Sequence, residues 1–270
     1  MSGNSREPGR SVTSKVFAIL GAFTPARSEL SLTEISRLTG LPGPTAHRLA
    51  REMVRWGGLE RLDAGTYRIG LRLWEVGALA PRQRSLRDVA LPYLQDLYEA
   101  TRENVQLAVL DGHEALYVEK ISGREAVPII SRVGGRLPLH ATGVGKVLLA
   151  HARPALRERV LAGQLERFTP YTIVMPGKLQ QALAEVRRNG LAYCYEEMTL
   201  GSVSLAAPVR DRAGPVIAAL SVVVRSFPVD TQRLAPAVLR AAHGLSRELA
   251  ALRWPGDGAP PGEASRSSTQ

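Results

Sequence analysis

The chain has 270 residues, 44% of them hydrophobic, a formal net charge of +10 and a single cysteine. That length and apolar content suffice for two domains with packed cores, while one cysteine excludes an intramolecular disulfide and fits a reducing cytosol. No apolar run approaches the ~18 residues of a membrane span, so a soluble cytoplasmic protein is expected, and the charge favours an anionic partner such as nucleic acid, although an arginine-biased composition alone has the same sign.

Residues 1–10, MSGNSREPGR, are polar and contain Gly and Pro, which predicts a disordered N-terminus. From Val12 onward, Val12, Val16, Ile19, Leu20 and Phe23 recur at helical spacing until Thr24-Pro25. Ser31-Leu-Thr-Glu34 is a capping box for a second helix with Ile35 and Leu38 inward, and Gly40 suits its C-terminal end. Pro44 belongs in the first turn of a third helix that runs to about Trp56 and turns Ala46, Leu49, Ala50, Met53 and Val54 towards the core. The stretch LERLDAGTYRI then reads as a hairpin around Asp63-Ala64-Gly65. LRLWEVGALA is helical and is interrupted by Pro81; another amphipathic helix spans about Leu86 to Thr101.

Beyond Asn104 the pattern changes to strands. VQLAVLDGHEALYVEKI is a hairpin turning at Asp111-Gly112, and VPIISRV is a further predicted strand. A helix starts near Gly143, and another covers Leu179 to Asn189. LAYCYEE, SVSLAAPVRD and PVIAALSVVVR are strands, the last two joined through Asp211-Arg-Ala-Gly214, and a long helix from about Val229 to Trp254 closes the domain. The expected class is α+β, an antiparallel sheet flanked by helices. Residues 254–270 form a low-complexity tail expected to be disordered.

Helix, tight turn, helix and hairpin, preceded by one more helix, is the order of a winged helix-turn-helix, which lays its recognition helix in the major groove and rests the hairpin on the DNA backbone. The third helix offers Thr45, His47, Arg48, Arg51 and Arg55, and its three arginines share one face. Arginine forks onto guanine or onto phosphate. The alternative is a helical hairpin whose arginines form a solvated face.

The stretch LSLTEISRLTGLPGPTAHRLAREMVRWGGLERLDAGTYRIGLRLWEVG resembles the N-terminal domain of IclR-type bacterial transcriptional regulators. GRLPLHATGVGKVLLA, GLAYCYEE and AAPVRDRAGPVIAALSV resemble successive blocks of that family's C-terminal effector-binding domain, a GAF-like fold. The blocks occur in the family's order and extend over roughly Ser11 to Arg253. The resemblance implies a winged helix-turn-helix over 11–70, a linker and dimerisation helix over 71–85, and an effector-binding domain over 86–253. It further implies a homodimer or dimer of dimers, more a repressor than an activator. Such a regulator binds a roughly palindromic double-stranded operator, with an affinity altered by a small molecule.

The expected DNA-contacting residues are Thr33, Pro44, Thr45, His47, Arg48, Arg51 and Arg55, with Arg68 on the hairpin. Where family members often carry a polar pair such as Lys-Ser, this chain has Gly43-Pro44. For the effector, family positions bring together Gly143, Val144, Cys194, Ser204, Ser221 and Val223, with Ala126 more loosely. Cys194 stands where an acidic residue is common, and Val223 replaces the second serine of a Ser-x-Ser pair. These residues are small and include no Arg or Lys, which favours a small organic acid with an apolar body over a phosphate ester or nucleotide. The alternative is that they simply pack a sheet against a helix.

No cofactor or metal is expected, since five histidines and one cysteine lack ligand spacing. Gly143-Val-Gly-Lys146 is not a nucleotide loop, because His140 and Val147 stand where Gly and Ser or Thr are needed. A hydrolase would need a G-x-S-x-G elbow, which does not occur. The competing class is an enzyme or simple ligand-binding protein with a structural N-terminal domain.

Overall fold

The computed structural model describes residues 11–24, 26–79, 81–227 and 231–251. The expected disordered segments, 1–10 and 254–270, lie outside them. The chain divides into two compact units between Arg84 and Ser85.

The first unit runs α1 (Val12–Ala22), β1 (Glu29–Leu30), α2 (Leu32–Thr39), α3 (Gly43–Trp56), β2 (Leu59–Arg61), β3 (Tyr67–Ile69) and α4 (Leu71–Gly77). Ser31 and Glu34 make the reciprocal capping box: the Glu34 N–H donates to Ser31 Oγ at 3.3 Å, and the Ser31 N–H donates to Glu34 Oε2 at 2.8 Å. The backbone bond, then the hydroxyl bond from Ser31, hold the Glu34 carboxyl below its ordinary pKa. Left-handed glycines at 40 and 57 end α2 and α3. Ala46, Leu49, Ala50 and Met53 recur at helical spacing on α3 and bury against Ile19, Leu30, Ile35 and Tyr67. One strand was not anticipated. β1 joins the hairpin as a third member, giving the order β1-β3-β2 with Leu30 opposite Tyr67. Two residues are too few to show alternation, so only the pairing defines it.

The second unit contains α5 (Pro81–Thr101) from Ser85 onward, β4 (Asn104–Asp111), β5 (Glu114–Ile121), β6 (Arg136–Pro138), α6 (Gly143–His151), α7 (Pro154–Ala162), α8 (Pro176–Asn189), β7 (Ala192–Tyr195), β8 (Ser202–Arg210), β9 (Val216–Arg225) and α9 (Thr231–Ala251). The six strands form one antiparallel sheet in the order β6-β5-β4-β9-β8-β7. Alternation along β8 and β9 divides two cores. Val203, Leu205 and Ala207 with Leu220 and Val222 meet α5 and α9 through Leu94, Leu97, Val238 and Leu245. Ala206 and Ala219 face α6 and α8 through Val144, Val147, Leu179 and Leu183.

Three sequence expectations shift. Pro81 starts a helix rather than only ending one, a position where its missing N–H is harmless. VPIISRV, 127–133, is not a strand. Side chains pin it instead: Asn104 Nδ2 donates to the Val127 carbonyl at 2.8 Å, and Lys120 Nζ donates to the Ser131 carbonyl at 2.9 Å. Pro128 also lacks a ladder donor, and β6 takes the free edge of β5. Finally, α7 escaped the periodicity reading because it has only nine residues, and Leu156, Val160 and Leu161 pack against the core without being fully buried.

Candidate functional site

Two surfaces gather the residues singled out above, one in each unit. On the first, Pro44, His47, Arg48, Arg51 and Arg55 of α3 are exposed, Thr45 is half-buried, and Thr33 lies exposed in the first turn of α2. The apolar positions of α3 face inward, so the cationic face is left to solvent. Arg48 donates to Glu52 one turn on at 2.9 Å, and Arg68 on β3 pairs at 2.7 Å with Glu60 of β2, its register partner. Both pairs are solvent-exposed and worth ~0.2–1 kcal/mol each, so a nucleic-acid anion can exchange for the carboxylate. Arg61, at the end of β2, is a further exposed cation on the hairpin that sequence reading did not single out.

In the second unit, the N-terminus of α6 meets the sheet over β7, β8 and β9. Thr142 is the N-cap, accepting from the Gly145 N–H at 3.1 Å and donating to the Pro138 carbonyl at 3.0 Å. The helix start approaches the sheet so closely that a Cβ on Gly143 would stand 2.6 Å from Ser204 Oγ. Beside this contact opens a cavity with an empty volume of about 430 Å³ including its mouth. Gly143, Val144, Cys194, Ser204, Ser221 and Val223 all line it. The ladder explains why: Ser204 pairs with Cys194 on one side and Val223 on the other, and Ala206 pairs with Ser221. Ala126 is not among the lining residues; it sits half-buried in the 122–135 segment, whose Ile129 to Ser131 reach the cavity instead.

Cys194 donates to the Ala141 carbonyl at 3.2 Å, and burial pushes its thiol up to about 12. It is a packing cysteine at neutral pH, not a reactive thiolate. Burial likewise raises the Tyr117 phenol well above its ordinary value, so this lining residue stays neutral.

Sequence reading missed the buried charges. Lys146, one turn into α6, is 2% exposed and donates to Glu197 Oε1. Its Nζ also lies 3.4 Å from the Tyr193 carbonyl oxygen. Glu197 lines the cavity, and its second oxygen, Oε2, has no hydrogen-bond partner among the described residues; neither has Ser221 Oγ. A lysine inside the apolar run GVGKVLLA was the available signal. Its partner stands 51 residues away, so nothing local revealed the pair. Among the described residues no group of His, Cys, Asp or Glu could hold a metal ion, and no helix is long and apolar enough to cross a membrane.

Comparison with known proteins places both surfaces in one context. Residues 12–63 match the family model described as the IclR helix-turn-helix domain, and residues 79–248 match that described as bacterial transcriptional regulator IclR C-terminal. The HTH-type transcriptional regulator XynR of Escherichia coli K12 is 37% identical over 240 residues, 87% of this chain and 95% of its own length. The transcriptional repressor IclR of the same organism is 32% identical over 208 residues, 76% of each chain. An IclR homolog from Microbacterium hydrocarbonoxydans, solved as a complex with 4-hydroxybenzoate, matches with a TM-score of 0.87 at 38% identity, covering 90% of this chain and all of that one.

Proposed function

The chain belongs to the IclR family of bacterial transcriptional regulators, and from that premise we propose that it is a cytoplasmic, homodimeric repressor whose operator affinity is changed by a compact organic acid bound between α6 and the sheet. The observation that carries the reading is the cavity itself. It combines the free N–H end of a capped helix, favourable to a carboxylate, with small side chains and an unpartnered serine hydroxyl. The Microbacterium homolog's complex with 4-hydroxybenzoate supports a ligand of that size and charge. The relatives are regulators, and the enzyme alternative is set aside on that ground.

The domains proposed are a DNA-binding unit over 11–70, a linker and dimerisation segment over 71–85 and an effector-binding unit over 86–253. Dimerisation through 71–85 is supported by large apolar side chains at the surface: Trp74 is 67% exposed and Leu79 69%. A two-fold dimer reads a roughly palindromic operator. Trp74→Glu is expected to shift the protein towards monomer in sedimentation velocity and to weaken operator binding; a dimer of wild-type stability would place the interface elsewhere.

The direct test is a mobility-shift titration on DNA upstream of the chain's own gene, over a salt series and with 4-hydroxybenzoate as the first effector candidate. Arg48→Ala is expected to cost ~1–3 kcal/mol of operator affinity and to relax sequence preference, the signature of a base contact. Unchanged affinity in a folded variant would remove Arg48 from the groove. Ser204→Leu is expected to fill the cavity and abolish the effector response while apo operator binding persists. An unaltered effector dissociation constant in that variant would remove the proposed pocket.

A further inference from the structure

We infer that the second unit holds an anion site apart from the effector cavity, a cluster of Arg157, Arg187 and Arg210 at the C-terminal end of α6 that takes a phosphate group. Three elements bring a guanidinium to three consecutive residues. Arg187 of α8 donates to the Ala150 carbonyl at 3.3 Å, Arg157 of α7 donates to the Ala152 carbonyl at 3.1 Å, and Arg210 of β8 lies 3.3 Å from His151 Nε2. A second bond ties Arg210, to the Gly214 carbonyl at 2.9 Å. His151 Nδ1 lies 3.0 Å from the Val147 carbonyl, which can only accept, so Nδ1 carries the proton and Nε2 accepts from Arg210. The cavity sits at the other end of the same helix, nine residues and about 12 Å away along its axis.

Among the described residues no carboxylate forms an ion pair with any of these arginines. Asp211, next to Arg210 in sequence, turns its carboxylate onto the Ala213 N–H at 2.9 Å, and the exposed Glu158 and Glu185 of α7 and α8 pair with none of the three. The local field is positive at His151 too. Burial above all, joined by the Arg210 and Arg187 charges, outweighs the Val147 bond and holds the imidazole below its ordinary pKa. Capping of α6 accounts for where the guanidiniums are tied, but a helix C-terminus carries only about half a negative charge, set against three full positive ones. Each guanidinium has five N–H donors, most of them still uncommitted. A doubly charged, tetrahedral phosphate has acceptors enough to bridge several guanidiniums, whereas a carboxylate brings two oxygens and one charge.

Calorimetric titration of the full-length protein with pyrophosphate, together with NMR titration of its histidine side chains, tests this. Replacing both Arg187 and Arg210 by glutamine keeps an N–H for the carbonyls they serve and removes two charges. That double variant is expected to bind pyrophosphate roughly tenfold or more weakly, since each lost bond is charge-assisted, while Ser204→Leu in the cavity leaves the affinity unchanged. In the wild type, saturation should raise the His151 pKa, because the bound anion offsets both neighbouring cations; His151→Gln identifies the resonance. A DNA duplex of unrelated sequence separates the two sources of phosphate. If the DNA backbone occupies the site, the duplex competes with pyrophosphate and the double variant lowers the salt slope by about one per lost contact. If a free phosphorylated compound does, duplex binding is the same in both proteins. Should the double variant fail to fold, the His151 shift in the wild type decides alone. Pyrophosphate affinities within twofold of each other in wild type and variant, or no upward shift at His151, would overturn the inference.

Discussion

Lys146→Met is expected to destabilise the second unit by about 3–5 kcal/mol, the cost of breaking a buried ion pair by removing one partner. The side chain it deletes is among the largest fully buried ones, and its ammonium is the only cation that the described contacts give to the Glu197 carboxylate. Methionine is close in length and apolar, so little packing is lost; what remains is an unmatched Glu197 charge at the wall of the cavity and a Tyr193 carbonyl that has lost its donor. Adding Glu197→Gln to the same chain should recover much of the loss, because replacing both partners of a buried pair is often close to neutral. Urea denaturation followed by far-UV circular dichroism measures both, and the double-mutant cycle isolates the pairwise contribution. A single-mutant loss below about 1 kcal/mol, the range of exposed pairs, would mean that water reaches Glu197 and that the pair is not sealed.

Gly145→Ala is expected to cost on the order of 3 kcal/mol, against the direction of intrinsic helix propensity. In a free helix alanine is favoured over glycine by about 1 kcal/mol. Here a Cβ would stand 2.5 Å from the Leu139 carbonyl oxygen, 2.6 Å from its Cα and 2.5 Å from Thr142 Oγ1. Two of these neighbours are backbone, and the third is the N-cap of the same helix, so relief requires moving α6 off its own cap. Overpacking of this kind typically costs 1–3 kcal/mol, occasionally more, and should also weaken effector binding, since the same turn lines the cavity. Gly177→Ala provides the contrast. It lies in the first turn of α8 with nothing within 4 Å of the added carbon, and should raise stability by about 0.4–1 kcal/mol. If the two substitutions changed the denaturation midpoint alike, the close approach at Gly145 would not be rigid.

The two units differ in how far they could be read from sequence. In the first, the information is local: the Ser31–Glu34 box, the glycine at 40, the four inward residues of α3 and the Asp63-Ala64-Gly65 turn each act within one or two helical turns. The charged face of α3 follows by exclusion, because the apolar stripe fixes which side is solvent. Only β1 escaped, a strand of two residues defined wholly by its partner. In the second unit, period-two alternation was enough to put Ser204 and Ala206 on one side of the sheet and Val203 and Leu205 on the other. Family resemblance, rather than any spacing, then linked those positions with Gly143 and Cys194.

Sequence by itself thus determined the α+β class and most of the elements, while β1, α7 and the 127–133 segment took their form from the assembled structure. The class and the legible elements follow from local periodicity, capping and turn chemistry, or from a recognisable succession of blocks. The cavity's polarity was decided by tertiary structure alone. Lys146 and Glu197 are 51 residues apart, and Ser221 meets Gln106 and Ala206 only through the register of β4, β8 and β9. Whether a buried polar atom is satisfied or orphaned depends on which strand lies beside it and which loop covers it. No local pattern encodes such long-range pairings, so the Lys146–Glu197 pair and the unpartnered Ser221 hydroxyl become visible only once the sheet is assembled.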